Sequence, residues 1–379
     1  MQTNQTNTSL KTETSASMRV FGNNDLTGVI MSFYASRWGL RPPSLVSRGF
    51  KGLVRARVRC SLYMCNCNGL WRVCVATGGV EYLAETPFGN PDDEDDYLSG
   101  QRSTTVDGAL FVTGGAVDKR LAWRFDPIDC AWQELPSMLG GRAEHSLASV
   151  GGRIFALGGK SSTTGGCVME CLDVRGGADS WQTIGPQDGA YVAMLGGTGS
   201  GNYVYAVGGY NFDAPGDGTV DVVRRMDAST GAWEVCADMN HARRNLSVCA
   251  RSDGDFYALG GLINREELPS DSDDSSEDDS GAPAWWKYLK VVERYLAGEN
   301  RWITLASMRA DGNFIGASVV DGNLWAVTRG ERAILLDKYD PSADAWVEKH
   351  TVSRDLPSFD GPVTYWPGWH VTTTVDGFA

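Results

Sequence analysis

The chain has 379 residues and carries 34 Lys and Arg against 47 Asp and Glu, a formal net charge of −13. It has no apolar run of 18 residues, and its opening "MQTNQTNTSLKTETSAS" is polar throughout, which argues against a membrane span or a secretory signal. No nucleic-acid or membrane partner is expected, and the N-x-S/T matches at Asn4, Asn7 and Asn245 are expected to go unused.

In chain order, residues 1–23 read as a disordered polar tail. Residues 24–54, "NDLTGVIMSFYASRWGLRPPSLVSRGFKGLV", fit no later pattern and read as a short helical segment. From residue 55 onward apolar strand-like stretches dominate and no long 3.6-residue period appears, so this part reads as all-β. Its first pair of strands is "CSLYMCNCNGLWRVC".

A repeat follows. Four apolar stretches end in two glycines: "ALFVTGG" to Gly115, "RIFALGG" to Gly159, "YVYAVGG" to Gly209 and "DFYALGG" to Gly261, at steps of 44, 50 and 52 residues. An Asp lies six residues before a Trp in "RFDPIDCAW" (Asp126, Trp132), "RMDASTGAW" (Asp227, Trp233) and "KYDPSADAW" (Asp340, Trp346). A Met follows the Trp in Met138, Met239 and Met308. A fixed period means one unit copied several times, here four short strands. Paired glycines allow positive φ and close backbone approach, an Asp accepts turn N–H groups, and a Trp of about 200 Å² wedges one sheet against the next. Such sheets cover their faces only by stacking around a ring, as blades of a propeller.

These motifs resemble the kelch repeat over roughly residues 57–375. The copies vary. "CLDVRGGADSW" places Asp173 eight residues before Trp181, "RYLAGENRW" has Leu296 where Asp is expected, and "LWAVTRG" has Thr328 and Arg329 in place of the glycines. The end of the earlier segment, Leu45-Val46-Ser47-Arg48-x-Phe50-x-x-Leu53, resembles the second half of an F-box, and "CSLYMCNCNGLWRVC" is similar to the strand pair that plant F-box/kelch proteins carry after it. The usual Leu-Pro-x-Asp opening is reduced to "NDLTGVIMSF", and Pro42-Pro43 interrupts the middle. The resemblance implies a six-bladed kelch β-propeller, all-β, preceded by a degenerate helical F-box. It also implies a substrate-recognition subunit of an SCF-type E3 ubiquitin ligase, with Leu45, Val46, Phe50 and Leu53 meeting a Skp-family adaptor and hence a cullin. The alternatives are a kelch scaffold without ligase activity and a kelch-fold enzyme.

No cofactor or metal is expected. Cys65 with Cys67, and Cys167 with Cys171, have no further ligands to complete a zinc set, and nine scattered cysteines fit a reducing compartment, cytoplasmic or nuclear. "GGTGSGN", residues 196–202, lacks the Lys-Ser/Thr of a phosphate loop and is expected to be a hairpin turn. Catalysis is not expected, since the four histidines, His145, His241, His350 and His370, are spread along different units.

Six tryptophans, Trp71, Trp132, Trp181, Trp233, Trp302 and Trp346, mark six expected outer strands. The first unit has no diglycine strand before it, so its inner strands are expected from "PVTYW" (362–366) or "HVTTTV" (370–375) at the other end. In a blade of four antiparallel strands, the connections between blades and those between second and third strands share one rim. That rim would gather Arg142, His145, Tyr191, Tyr210, Arg243, Arg244, Asn245, Arg309 and Asn313, a candidate surface for an unknown target protein. It would also gather both acidic runs, "DDEDD" (92–96) and "EELPSDSDDSSEDD" (266–279, within an insert 264–284). Without these thirteen acids the rest of the chain is neutral, 34 against 34. The runs are expected either to recruit a basic target or to fold over the arginines and compete with an acidic one, competition being favoured. Phosphorylation of Ser270, Ser272, Ser275, Ser276 or Ser280 would deepen either effect.

Overall fold

The structure is a computed structural model. It describes residues 61–66, 69–87, 100–115, 120–160, 169–177, 179–184, 192–213, 218–264, 286–309, 314–329, 333–353 and 370–373. The chain divides into two units, Met1–Gly52 and Leu53–Ala379. The first, with the F-box-like segment and its Leu45, Val46 and Phe50, lies outside the described residues, as does Leu53 of the second.

Every regular element among the described residues is a strand, and the strands form a six-bladed β-propeller. From the axis outward, blade 1 contains His370–Thr373, Ser61–Asn66, Gly69–Cys74 and Val80–Ala84. Blade 2 contains Arg102–Val106, Ala109–Thr113, Ala122–Asp126 and Ala131–Glu134. Blade 3 contains Ser146–Val150, Arg153–Leu157, Glu170–Asp173 and Gln182–Thr183, and blade 4 Gly196–Ser200, Tyr203–Asn211, Thr219–Asp227 and Trp233–Val235. Blade 5 contains Ser247–Ala250, Phe256–Leu259, Val292–Leu296 and Arg301–Leu305, with an added ribbon of Leu262–Asn264 and Trp286–Tyr288. Blade 6 contains Phe314–Val320, Asn323–Arg329, Ala333–Asp340 and Ala345–Ser353. The innermost strands neighbour one another all the way round, which closes the ring. In blade 1 the chain ends meet: Leu62 lies opposite Thr373 and Cys65 opposite His370.

The core lies in the seams between blades, one apolar cluster to each. Tyr63, Cys65 and Leu70 meet Leu110, Val112 and Phe125 between blades 1 and 2. Leu62, Met64, Trp71 and Val73 meet Trp325, Val327 and Leu336 between blades 1 and 6. Burial of an aromatic or branched apolar side chain is worth about 1.5–3 kcal/mol, so six such seams outweigh any single loop contact.

The repeat now has its causes. In four blades the paired glycines have positive φ, as in Gly158 (58°) with Gly159 (102°) and Gly260 (62°) with Gly261 (103°). A Cβ on Gly159 would stand 2.8 Å from the Ala143 carbonyl oxygen. Asp126 accepts the Ile128 N–H at 2.9 Å, Asp227 that of Ser229 at 2.8 Å and Asp340 that of Ser342 at 2.9 Å, which makes the turns into the outer strands. The Trp indoles of three blades donate to the loop ahead of their own blade: Trp181 to the Pro136 carbonyl (2.8 Å), Trp302 to Ala237 (2.9 Å) and Trp346 to Ala306 (2.9 Å).

Two expectations are corrected. Trp71 does not lie on an outer strand: it lies on Gly69–Cys74, the third strand of blade 1, fully buried, and Val80–Ala84 is the outer one. In that blade no Asp-to-Trp turn precedes the indole, so counting Trp alone misplaced it. The glycines of "GGTGSGN" are not chiefly a turn either. Gly196–Ser200 is the innermost strand of blade 4, paired with Tyr203–Val207. Its glycines answer crowding by neighbouring blades, since a Cβ on Gly199 would come 1.9 Å from the Ser149 carbonyl oxygen and one on Gly196 2.3 Å from Val248.

Candidate functional site

Antiparallel order puts the interblade loops and the second-to-third-strand loops on one rim. Four residues at the starts of inner strands are joined there by a chain of backbone hydrogen bonds: Glu144 N–H donates to Gly100, Met194 N–H to Glu144 (2.8 Å) and Asn245 N–H to Met194 (2.7 Å). All four have positive φ, 54° for Asn245, a conformation that Asn tolerates better than most residues.

Just outside this chain lie two matching ion pairs. Arg142, in the loop into blade 3, is 1% exposed and donates to the Gly158 carbonyl (3.1 Å) and to the Glu170 carboxylate. Glu170, 3% exposed, also accepts the N–H groups of Leu139 (2.7 Å) and Gly140 (3.0 Å). Arg243, in the loop into blade 5, is 0% exposed and donates to the Val291 carbonyl (3.0 Å) and to Glu293 (2.7 Å), which accepts the Asn240 N–H (2.9 Å). Burial brings the Arg243 guanidinium down to about 10, with Glu293 opposing the shift, so the guanidinium stays charged at neutral pH. Each pair ties an interblade loop to the third strand of the blade it enters. Removing one partner of such a pair strands the other charge, a loss of about 3–5 kcal/mol.

Blade 6 holds the same place differently. The acid position, opposite Ala156 in blade 3 and Ala258 in blade 5, is Asp337 opposite Ala326. Asp337 is 2% exposed, and its Oδ1 accepts no hydrogen bond among the described residues. Arg309 approaches it only to 3.7 Å and reaches Glu348 at 3.3 Å. Burial pushes the Asp337 carboxyl up from its usual 3.8, Arg309 pulling it down and Glu348 adding to the rise.

These geometries sort the expected rim residues. Arg142 and Arg243 are inside the wall, so as side chains for a partner to touch they are corrected: each spends its guanidinium on its own blade. His145 is fully buried between blades, its Nε2 2.8 Å from Thr113 Oγ1. Arg244, 4% exposed, lies between the rings of Tyr210 (4.8 Å) and Trp286 (3.7 Å), and Tyr210 packs edge-on against Phe212, which is 43% exposed. Arg309 is half-exposed. The structure thus brings Tyr210 and Arg244 into one aromatic stack at the base of the blade 5 ribbon and leaves Arg309 two loops away. Tyr191, Asn313 and both acidic runs lie outside the described residues. The sequence reading missed Glu170, Glu293, Asp337, Phe212 and Trp286. Its usable signal was an acid in the third strand of those blades that also carry Met-x-x-x-Arg in the loop before.

Among the described residues no group of three His, Cys, Asp or Glu could hold a metal ion. Cys130, Cys171, Cys236 and Cys249 carry free thiols.

Comparison with known proteins adds a match to the Kelch motif over residues 193–240, the inner part of blade 4 through the loop into blade 5. The chain carries a kelch repeat. It is 25% identical over 279 residues to "Kelch-like protein 36" of Rattus norvegicus, covering 66% of this chain and 39% of that protein. It is 24% identical over 245 residues to "Kelch-like protein 15" of Homo sapiens, 60% of this chain and 37% of the other. Over 103 residues it is 30% identical to an "F-box/kelch-repeat protein" of Arabidopsis thaliana, 26% of this chain and 22% of the other. The chain spans about two fifths of the length of the Kelch-like proteins it matches. In three dimensions the propeller is similar to the structure of YjhT, with a TM-score of 0.52 at 12% identity, over 75% of this chain and 91% of that one, a likeness of fold.

Proposed function

We propose that this kelch propeller is a protein-interaction module that binds a target on its connection rim, as the substrate-recognition subunit of an SCF-type E3 ubiquitin ligase. The observation that carries the binding half is the rim itself: exposed Phe212 packs beside Tyr210 at the Arg244 stack, and half-exposed Arg309 lies two loops further round the same rim. Aromatic and Arg side chains are those that most often anchor a partner. The ligase half is supported by the F-box-like pattern of Leu45, Val46, Phe50 and Leu53 and by the similarity to a plant F-box/kelch-repeat protein. The odd number and scatter of its nine cysteines suit a cytoplasmic or nuclear location.

The test is co-purification of the full chain, and of a chain starting at residue 55, with a Skp-family adaptor and a cullin. The full chain should bring down both and the shorter chain neither. A Phe50→Ala, Leu53→Ala pair should lose the adaptor, since buried anchors typically contribute about 2 kcal/mol or more each. If the full chain captures no adaptor while cross-linking still finds a rim partner, the protein is a scaffold without ligase activity.

A further inference from the structure

We propose that blade 6 carries a guanidinium site, in which Asp337 and Glu348 receive an arginine side chain of a partner protein at the place that blades 3 and 5 fill with arginines of this chain. The proposal rests on the rim being an interaction face and names what one part of it takes.

Three blades set the frame. Met138, Met239 and Met308 are each buried and each donate their N–H to the same strand position, the carbonyls of Arg120, Asp221 and Lys290. The residue two before each Met receives an indole hydrogen bond. The three loops therefore enter their blades in the same way. Four residues after the Met the sequence reads Arg142, Arg243 and then Gly312. A glycine has no side chain to supply the guanidinium, whatever course its loop takes.

The acid has nevertheless been kept. Asp337 occupies the register of Glu170 and Glu293, and its Oδ1 is buried without a hydrogen-bond donor among the described residues. A charge so placed is costly unless paired. Thr328, at the position of Gly158 and Gly260, whose carbonyls face Arg142 and Arg243, also has a buried and unpaired Oγ1. The cross-strand neighbour of the acid is Thr183 in blade 3 and Thr304 in blade 5, but Glu348 in blade 6. A second carboxylate beside a buried first one disfavours the empty state and favours a doubly bonded cation. Arg309 covers the pair only loosely: 3.7 Å from Asp337 exceeds hydrogen-bond range, and its side chain is 49% exposed. It can turn to solvent when another guanidinium arrives.

The chemistry selects arginine over lysine. A planar fork of five donors can satisfy several acceptors at once, as Arg142 and Arg243 each do with one carboxylate and two or more carbonyls, whereas an ammonium is a point charge that would leave acceptors unmatched.

Nα-acetyl-arginine amide, its lysine and citrulline counterparts, and the peptide acetyl-Gly-Ala-Arg-Ala-Gly-amide would be titrated into the full chain and followed by 13C NMR of Asp and Glu carboxyls. The arginine probes should shift two carboxyl signals, the peptide binding at least as tightly as the amide. Lysine should bind more weakly and citrulline not at all. Asp337→Asn, which keeps the shape of the side chain, should weaken the arginine probes about tenfold or more; Glu348→Gln should weaken them less. Gly312→Arg, which restores the Met-x-x-x-Arg spacing of the loops into blades 3 and 5, should abolish binding while raising the unfolding temperature. Silence of the arginine probes, or binding that survives both Asp337→Asn and Gly312→Arg in folded protein, overturns the site. Binding of the amide but not the peptide overturns the partner-protein assignment. Partner capture by the rim with silent probes would sink this site alone and leave the interaction module standing.

Discussion

Blades 3 and 5 and blade 6 solve one architectural problem with different success. In the first two, a buried acid on the third strand is fully engaged: Glu170 and Glu293 each take an arginine and at least one loop N–H. In blade 6 the acid persists while its arginine is gone, and a half-exposed Arg309 stands in at 3.7 Å. The difference lies in how fully a buried charge is paired: in blades 3 and 5 it locks a loop in place, and in blade 6 it is left half-paired. What decides is one side chain four residues after a buried methionine.

The comparison breaks most visibly if Arg243 is dispensable. Arg243→Ala leaves Glu293 buried without its cation and should cost about 3–5 kcal/mol, read from the urea midpoint of the full chain. An Arg309→Ala change, at an exposed pair, should cost no more than about 1 kcal/mol by the same measurement. Between these lies the reverse experiment. Gly312→Arg should stabilise the protein by about 1.5 kcal/mol, the worth of hydrogen bonds to a charged group. The smallest effect belongs to Asp337→Asn, neutral or stabilising by up to about 1 kcal/mol at pH 7.

That last effect has a sign in pH. The folded carboxyl of Asp337 is raised above its usual 3.8, so the folded state holds a proton that the unfolded chain has released. The associated stability is full below 3.8 and lost as pH rises through the folded value. The advantage of Asn over Asp should therefore be present at neutral pH and vanish towards pH 3.8. Urea midpoints of the two proteins across that window check it.

Much of the fold was legible because it is written in local chemistry. Gly-Gly, the Asp turn and the outer-strand Trp each act within a few residues, and together they marked five blades and implied the sixth. Blade 1 was harder to read: without its own diglycine, Trp71 gave no sign that it sat on the third strand. The glycines of residues 196–199 were read as a turn because glycine's turn preference is local, while the crowding that requires them comes from Ser149 and Val248 in other blades. The rim arginines were visible as loop residues, but their fate was not. Arg142 meets an acid 28 residues on and Arg243 one 50 residues on, and neither separation follows from the spacing of the repeat. Phe212 and Trp286 were passed over for the opposite reason, since no repeat position marks them.

The most direct test is the titration of one carboxyl. 13C NMR of Asp337 in the full chain should give a midpoint above 3.8, and in the Gly312→Arg protein that midpoint should fall as the supplied guanidinium favours the charged form. A wild-type midpoint at or below 3.8, unmoved by Gly312→Arg, would show that Asp337 is already paired and that blade 6 has no place for an arginine.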